Sequence, residues 1–468
     1  MAEPLWTSTE IAHASGGELH GQPFEVEGVS FDSREIGPGD LFVALAGVRD
    51  GHEFASAAFA RGAAGALASQ EVGGPHVHVA DTLVGLESMA AAARDRCHGL
   101  RGAVTGSVGK TSVTQAVKAG LALAGRAHGS VKSYNNHIGV PLTLARMPRD
   151  TERAVFEIGM NHAGEIEPLS RLVQPHAVAI TNVGPVHTEN FETGEEGVAR
   201  AKAEIFAGLK RDGRAVLNAG DDWYELLREE AEAHGAEVVC FGSADHCDAK
   251  LLGFEAQPGG GAEVKARLHG RMISFPIAQS GLHWGPNSLA VLLMLEALEV
   301  PLDTGLQALA GFAPLAGRGA ERIVKGPKGA FTLIDESYNA NPISMRAAIA
   351  TLGARRVQGR RLVALTDMLE LGPDAPRQHA AIGNALDESG IDLVFCAGPL
   401  MKDLWDVLPS RRRGGYAASA AELAPQVVEA VEAGDVVMVK GSNGSKASVI
   451  AAALAGLAEG RAAAGGAA

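Results

Sequence analysis

Thr105-Gly106-Ser107-Val108-Gly109-Lys110-Thr111-Ser112 is the stretch from which the rest of the chain is read. An apolar run ending at Thr105 predicts a strand, and the pattern over Lys110–Gly125 predicts a helix. Glycines between the two let backbone N–H groups curl around an anion, and a helix start adds partial positive charge. Lys110 has the reach for the outer phosphates of a nucleoside triphosphate, and the Thr111 hydroxyl suits Mg2+. The loop is the short G-x-x-G-K-T form, with Val104 where the longer pattern has glycine. The bland alternative is a glycine turn carrying a solvated lysine.

Outward from the loop, apolar runs alternate with helical patterns, which reads as α/β. Strands are expected at Glu27–Phe31, Asp40–Leu45, His76–Val79, Ala154–Ile158, Ala177–Thr181, Arg214–Leu217 and Val238–Phe241. Lys250–Ile277 reads as antiparallel. The Pro/Gly-rich segment Phe312–Gly319 reads as a boundary, after which the alternation restarts at Thr332–Asp335. In that second unit, His379–Ser389 is expected to be one helix.

The chain has 468 residues and a formal net charge of −14, with 46% hydrophobic and 21% charged residues. Those are globular proportions, and the length suggests about three domains. The acidic balance argues against nucleic acid as the main partner. No apolar run is long enough to span a bilayer, and no secretory signal is read at the start. Four cysteines without a C-x-x-C pair indicate neither zinc nor a disulfide framework, so a reduced, cytoplasmic setting is expected.

Two strand-end side chains extend the site. Glu157 closes an expected strand, where a carboxylate suits Mg2+; His187 lies beyond the next strand, either as a ligand or as a structural histidine. Lys202, in an expected helix over Gly197–Gly208, reads from spacing alone as part of a solvated Lys–Glu face.

Taken together, the motifs resemble the Mur ligase family over nearly the whole chain. Val29-Ser30-Phe31-Asp32-Ser33-Arg34 resembles its UDP-binding segment, and Tyr134-Asn135-Asn136-His137 its muramoyl-substrate loop. Glu157, Asn161, His162 and His187 fall on its metal and substrate positions, and Lys202 on its carbamylated lysine. Asn287 matches the adenine contact, Arg318 the linker arginine, and Asp335-Glu336-Ser337-Tyr338-Asn339-Ala340-Asn341-Pro342 the start of the last domain.

The resemblance implies a three-domain α/β protein. Residues 1–99 would bind the UDP-muramoyl substrate through Ser30, Asp32, Ser33 and Arg34. Residues 100–313 would form the ATPase, with a mostly parallel sheet. Residues 314–459 would form a Rossmann-like dipeptide domain, followed by a disordered tail at 460–468. ATP would be held by Gly106, Ser107, Val108, Gly109, Lys110, Thr111, Ser112, Asn287, Arg318 and Asp335. Mg2+ would be held by Thr111, Glu157, His187 and carbamylated Lys202. Asn135, Asn136, Asn161, His162, Tyr338, Asn339 and Asn341 would meet the other substrates. Lys110, Lys202, His187, Arg318 and His162 would carry catalysis, with His162 a candidate base.

The implied activity is that of an ATP-dependent acid–amino-acid ligase of peptidoglycan synthesis. It would join D-alanyl-D-alanine to UDP-N-acetylmuramoyl-tripeptide through an acyl phosphate, acting as a monomer. D-E-S-Y-N-A-N-P is the feature most like the dipeptide-adding member. Another ligase of the family, or one like folylpolyglutamate synthase, is the alternative.

Overall fold

The computed structural model describes residues 3–47, 49–131, 133–186, 188–257 and 260–457. His187 and the tail at 460–468 therefore lie outside the described residues.

Three sheets organise the chain. Near the start, Glu18–His20, His76–His78, Gly65–Ala68, Asp40–Val43 and Gly28–Ser30 lie side by side in that order. The pairs within this sheet are parallel except the first. Helix Thr82–Asp95 starts on Asp81, whose Oδ1 accepts the N–H groups of Leu83 and Val84. It packs against helix Gly139–Ala145 of the next unit. There, Trp6 Nε1 also donates to the Ala145 carbonyl at 2.8 Å.

The central sheet has nine strands. Its parallel core runs Glu237–Gly242, Arg214–Asn218, Ala177–Ile180, Leu100–Thr105, Arg153–Glu157, Ala127–Gly129. The three strands Ala249–Ala256, Ala262–Leu268 and Arg271–Ile277 extend one edge, pairing with each other antiparallel. Leu100–Thr105 is central and covered on both faces, so every position after Leu100 is buried. Helix Trp284–Ala297 is buried along most of its length, with Leu289–Leu295 in the core.

In the last sheet the order is Ala320–Gly326, Gly329–Glu336, Val436–Lys440, Arg361–Thr366, Leu393–Ala397, Arg413–Ala417. It is parallel except for its first pair.

The expected strands appear within one to three residues of their predicted bounds; the largest difference is Thr332–Asp335, observed as Gly329–Glu336. The expected helix His379–Ser389 is instead two, Ala375–Ala380 and Ile382–Glu388, and the first begins four residues earlier. Strand Arg413–Ala417 escaped the sequence pattern because Gly414 and Gly415 interrupt it. A Cβ on Gly414 would stand 2.6 Å from the Phe395 ring, so only glycine lets this edge strand pass the aromatic.

Candidate active site

The carboxyl ends of two sheets face one cavity of about 400 Å³. On the central side, three adjacent parallel strands deliver Thr105, Glu157 and Ile180 in register: Glu157 pairs with Val104, and Ile180 with Thr105. Ligands gather at such strand ends.

The glycine loop after Thr105 is braced from the neighbouring strand end. Asn182 accepts from Ser107 N through its carbonyl (2.9 Å) and from Val108 N through Oδ1 (2.8 Å). Thr181 Oγ1 donates to the Val108 carbonyl at 2.6 Å. Gly106 and Gly109 hold φ of +146° and +88°. A Cβ on Gly106 would fall 2.0 Å from Thr181 Oγ1. Helix Lys110–Ala124 starts with no side-chain cap, so its first N–H groups stay available to an anion. Lys110 Nζ donates to the Gly106 and Ser107 carbonyls at 2.6 and 3.4 Å. Burial lowers its pKa, Glu157 opposes that, and Arg318 adds to it.

Glu157 is 1% exposed. Asn135 Nδ2 donates to its Oε1 at 2.7 Å, while Oε2 is buried with no hydrogen-bond partner among the described residues. Such an orphan carboxylate oxygen is costly unless a cation meets it. With the Thr111 hydroxyl on the same cavity wall, the donors are hard oxygens, which fit Mg2+.

The second sheet contributes Glu336 and Lys440, register partners at the ends of adjacent strands and paired at 3.3 Å. Arg318 reaches across from the linker, its guanidinium 4.1 Å from the Tyr338 ring centre. Both meet Ser133: Tyr338 OH donates at 3.1 Å and Arg318 Nη2 at 3.4 Å. Those two donors occupy the lone pairs of Ser133 Oγ, so its own proton points to Thr111 Oγ1 at 3.2 Å. One hydroxyl thus joins the phosphate loop to the far domain. Sequence reasoning missed Ser133; its place immediately before the Tyr134-Asn135-Asn136-His137 loop was the available signal.

Of the expected site residues, Ser107 to Ser112, Asn135, Asn136, Glu157, Asn161, Asn287, Arg318, Tyr338, Asn339 and Asn341 line the cavity. Gly106 lies beneath it as part of the loop. The structure does not bring the other described ones to the cavity wall. Asp335 turns its Oδ1 to Ser337 N and Oγ. His162 is largely exposed and pairs with Glu165 at 3.0 Å. Ser30 ends strand Gly28–Ser30, and Asp32, Ser33 and Arg34 follow in a separate loop, where Asp32 accepts from Arg34 Nε at 2.9 Å and Nη2 at 2.6 Å. Phe31, in that loop, brings its ring 5.9 Å from Tyr134 of the substrate segment.

Lys202 lies behind the cavity wall and is 3% exposed, not solvated as its spacing suggested. Helix Glu195–Ala203 buries it with Val198, Ala199 and Ala201. Burial holds its pKa well below the ordinary lysine value, Lys110 adds to this, and Asp221 opposes it.

A phosphate-binding loop facing a second sheet's polar strand ends defines a nucleotide-dependent enzyme that holds a second substrate between two domains. The Mur ligase middle domain matches residues 104–295. The Mur ligase glutamate ligase domain matches 321–443, and the Mur ligase family catalytic domain 25–86. The UDP-N-acetylmuramoyl-tripeptide–D-alanyl-D-alanine ligase of Bacillus subtilis is 32% identical over 94% of this chain and 96% of its own. The crystal structure of MurF from Acinetobacter baumannii superposes at TM-score 0.84 and 27% identity, covering 97% of this chain and 99% of that one. A bifunctional folylpolyglutamate synthase/dihydrofolate synthase superposes at 0.59 with 19% identity, covering 78% of this chain and 93% of that one; it shares the fold alone. The chain belongs to the Mur ligase family.

Proposed function

We propose that this chain is the ATP-dependent ligase that adds D-alanyl-D-alanine to UDP-N-acetylmuramoyl-tripeptide in peptidoglycan synthesis. The observation that carries this reading is similarity over nearly the whole chain to UDP-N-acetylmuramoyl-tripeptide–D-alanyl-D-alanine ligases, combined with one cavity holding the glycine loop and the D-E-S-Y-N-A-N-P strand end.

An amide forms from a carboxylate and an amine only if the carboxylate is activated. A tripeptide carboxylate oxygen attacks the γ-phosphorus of ATP, giving an acyl phosphate and ADP. The free amine of D-alanyl-D-alanine then attacks the acyl carbon, phosphate leaves with its electron pair, and the amine gives up a proton. Two anions must meet, so positive charge is concentrated here. The N–H groups of the loop and Lys110 take the phosphates. Arg318 neutralises the transferring group from the linker, and Ser133 fixes its guanidinium. Asn287, beside Gly109, is proposed to meet the adenine. Tyr338, Asn339 and the Glu336–Lys440 pair form the dipeptide side.

Thr111 and Glu157 are the residues suited to hold Mg2+, which when bound supplies neutralisation of the phosphate charge. Lys202 is proposed to carry a carbamate. Burial favours its neutral amine, the form that attacks carbon dioxide, and loss of a proton from the adduct leaves an anionic oxygen donor near Lys110. His187 is proposed as a further ligand, and His162, already paired with Glu165, as a weaker candidate base. Domain limits at residues 99/100 and 313/314, a monomeric state and a cytoplasmic location belong to the same proposal. No helix among the described residues is long and apolar enough to cross a membrane.

The test is phosphate release by the purified protein. Release from ATP is expected only when UDP-muramoyl-tripeptide and D-alanyl-D-alanine are both present. Lys202→Ala is expected to abolish turnover while leaving UDP-substrate affinity within about twofold, a change under ~0.5 kcal/mol. Release with glutamate and a folate in place of these substrates would favour the other ligase class.

A further inference from the structure

A cluster of histidines lies in the first domain, away from the cavity just described. Strands Glu18–His20 and His76–His78 pair antiparallel with His20 directly opposite His76, so both side chains share one face of the sheet. His78, two residues on, shares that face and stacks on His20 at 5.4 Å between ring centres.

His76 is 2% exposed. Its Nδ1 sits 2.9 Å from the Gly74 carbonyl, which only accepts, so Nδ1 carries the ring proton. Its Nε2 is therefore a bare lone pair in the neutral ring. It is buried and has no hydrogen-bond partner among the described residues. What it faces is another acceptor: Glu71 Oε2, 3.8 Å away. The other oxygen of Glu71 meets His20 Nδ1 at 2.9 Å. The three ligand atoms lie within 4.8 Å of one another.

Two acceptors face each other across a gap that one cation would satisfy. A histidine whose second nitrogen is held by a backbone carbonyl is the usual state of a metal-bound imidazole. We propose that His20, Glu71 and His76 form a binding site for a borderline divalent cation of the Zn2+ class. Two imidazoles and a carboxylate select that class over Mg2+ or Ca2+ and leave a fourth position to water. Glu71 is mostly exposed, so its side chain is free to close by the ångström or so that metal-ligand distances near 2 Å require. The bound ion clamps the edge strand Glu18–His20 and the loop before His76 onto the sheet, so its effect is on the stability of the first domain.

A second cluster, Cys240, His246 and Cys247, has a similar spread but no comparable orphan: the Cys240 thiol already approaches the His246 carbonyl at 4.0 Å. The experiment separates the two. Metal-stripped full-length protein in excess Mg2+ is titrated with Zn2+ and with Co2+, and thermal unfolding is followed in parallel. The expected result is one equivalent bound, a visible cobalt band without a thiolate-to-cobalt band, and a raised unfolding midpoint. His20→Gln and Glu71→Gln are expected to weaken binding at least about tenfold, no less than loss of an outer-shell partner costs. They are expected to leave ligase turnover in Mg2+ unchanged, and Cys247→Ser to leave metal binding unchanged. Undiminished binding by His20→Gln, a thiolate band lost in Cys247→Ser, or no metal-dependent shift would overturn the proposal.

Discussion

Helix Lys110–Ala124 and helix Pro342–Gly353 each follow a strand whose end faces the same cavity, yet they begin in opposite ways. The first starts on Gly109 with no side-chain cap. The second starts inside a capping box: Asn341 Oδ1 accepts from Ser344 N at 2.9 Å, Ser344 Oγ accepts from Asn341 N at 3.0 Å, and Pro342 has no N–H to offer. An open helix start is an anion site, whereas a closed one is scaffolding. The two α/β units therefore divide the chemistry. On the proposed reading, backbone N–H groups take phosphate on the central side. Side chains such as Tyr338 and the Glu336–Lys440 pair present themselves on the other.

Removing charge from the open end should have the largest effect. Lys110→Ala is expected to lower kcat by about a thousandfold, the scale of losing a donor that meets developing charge. Its unfolding midpoint should not fall, because a partly buried, desolvated cation has been removed. A kcat within tenfold of the parent would break the comparison. Next comes Gly106→Ala, whose Cβ would overlap Thr181 Oγ1. Calorimetric ADP affinity is expected to drop by about 1–3 kcal/mol, the usual cost of a forced backbone.

Acid should act on the central domain more gently. Burial lowers His128 and His176 to pKa values of about 4. Between that value and the ordinary histidine value, the unfolded chain binds protons that the native fold refuses. Stability is thus fully present above about pH 6.5 and is lost as pH falls toward about 4, by up to ~3 kcal/mol for His128 and less for His176, which solvent screens. Urea unfolding at several pH values checks the slope. Smallest is Asn341→Ala, which opens the capped helix. It is expected to cost about 1 kcal/mol in denaturant unfolding.

The open end was legible in sequence because it is local: strand, glycines, lysine and helix occupy consecutive positions. Glu157 was legible for the same reason, as the last residue of an apolar run. Lys202 was not, since its helix carries Glu195, Glu196 and Arg200 and looks solvated; only tertiary packing buries the amine. Ser133 was hidden because its role depends on Arg318 and Tyr338, which lie 185 and 205 positions away. The histidine cluster needed strand register, which spacing from His20 to His76 does not reveal. Resemblance supplied Asn287, Arg318 and Tyr338; their meeting at one cavity required the fold.

The central claim is that the cavity joins two anions through an acyl phosphate. Heavy-oxygen label in the terminal carboxylate of the tripeptide follows that oxygen directly. The account predicts one labelled oxygen in each phosphate released, and only when D-alanyl-D-alanine is present. Unlabelled phosphate accompanying amide product would contradict it.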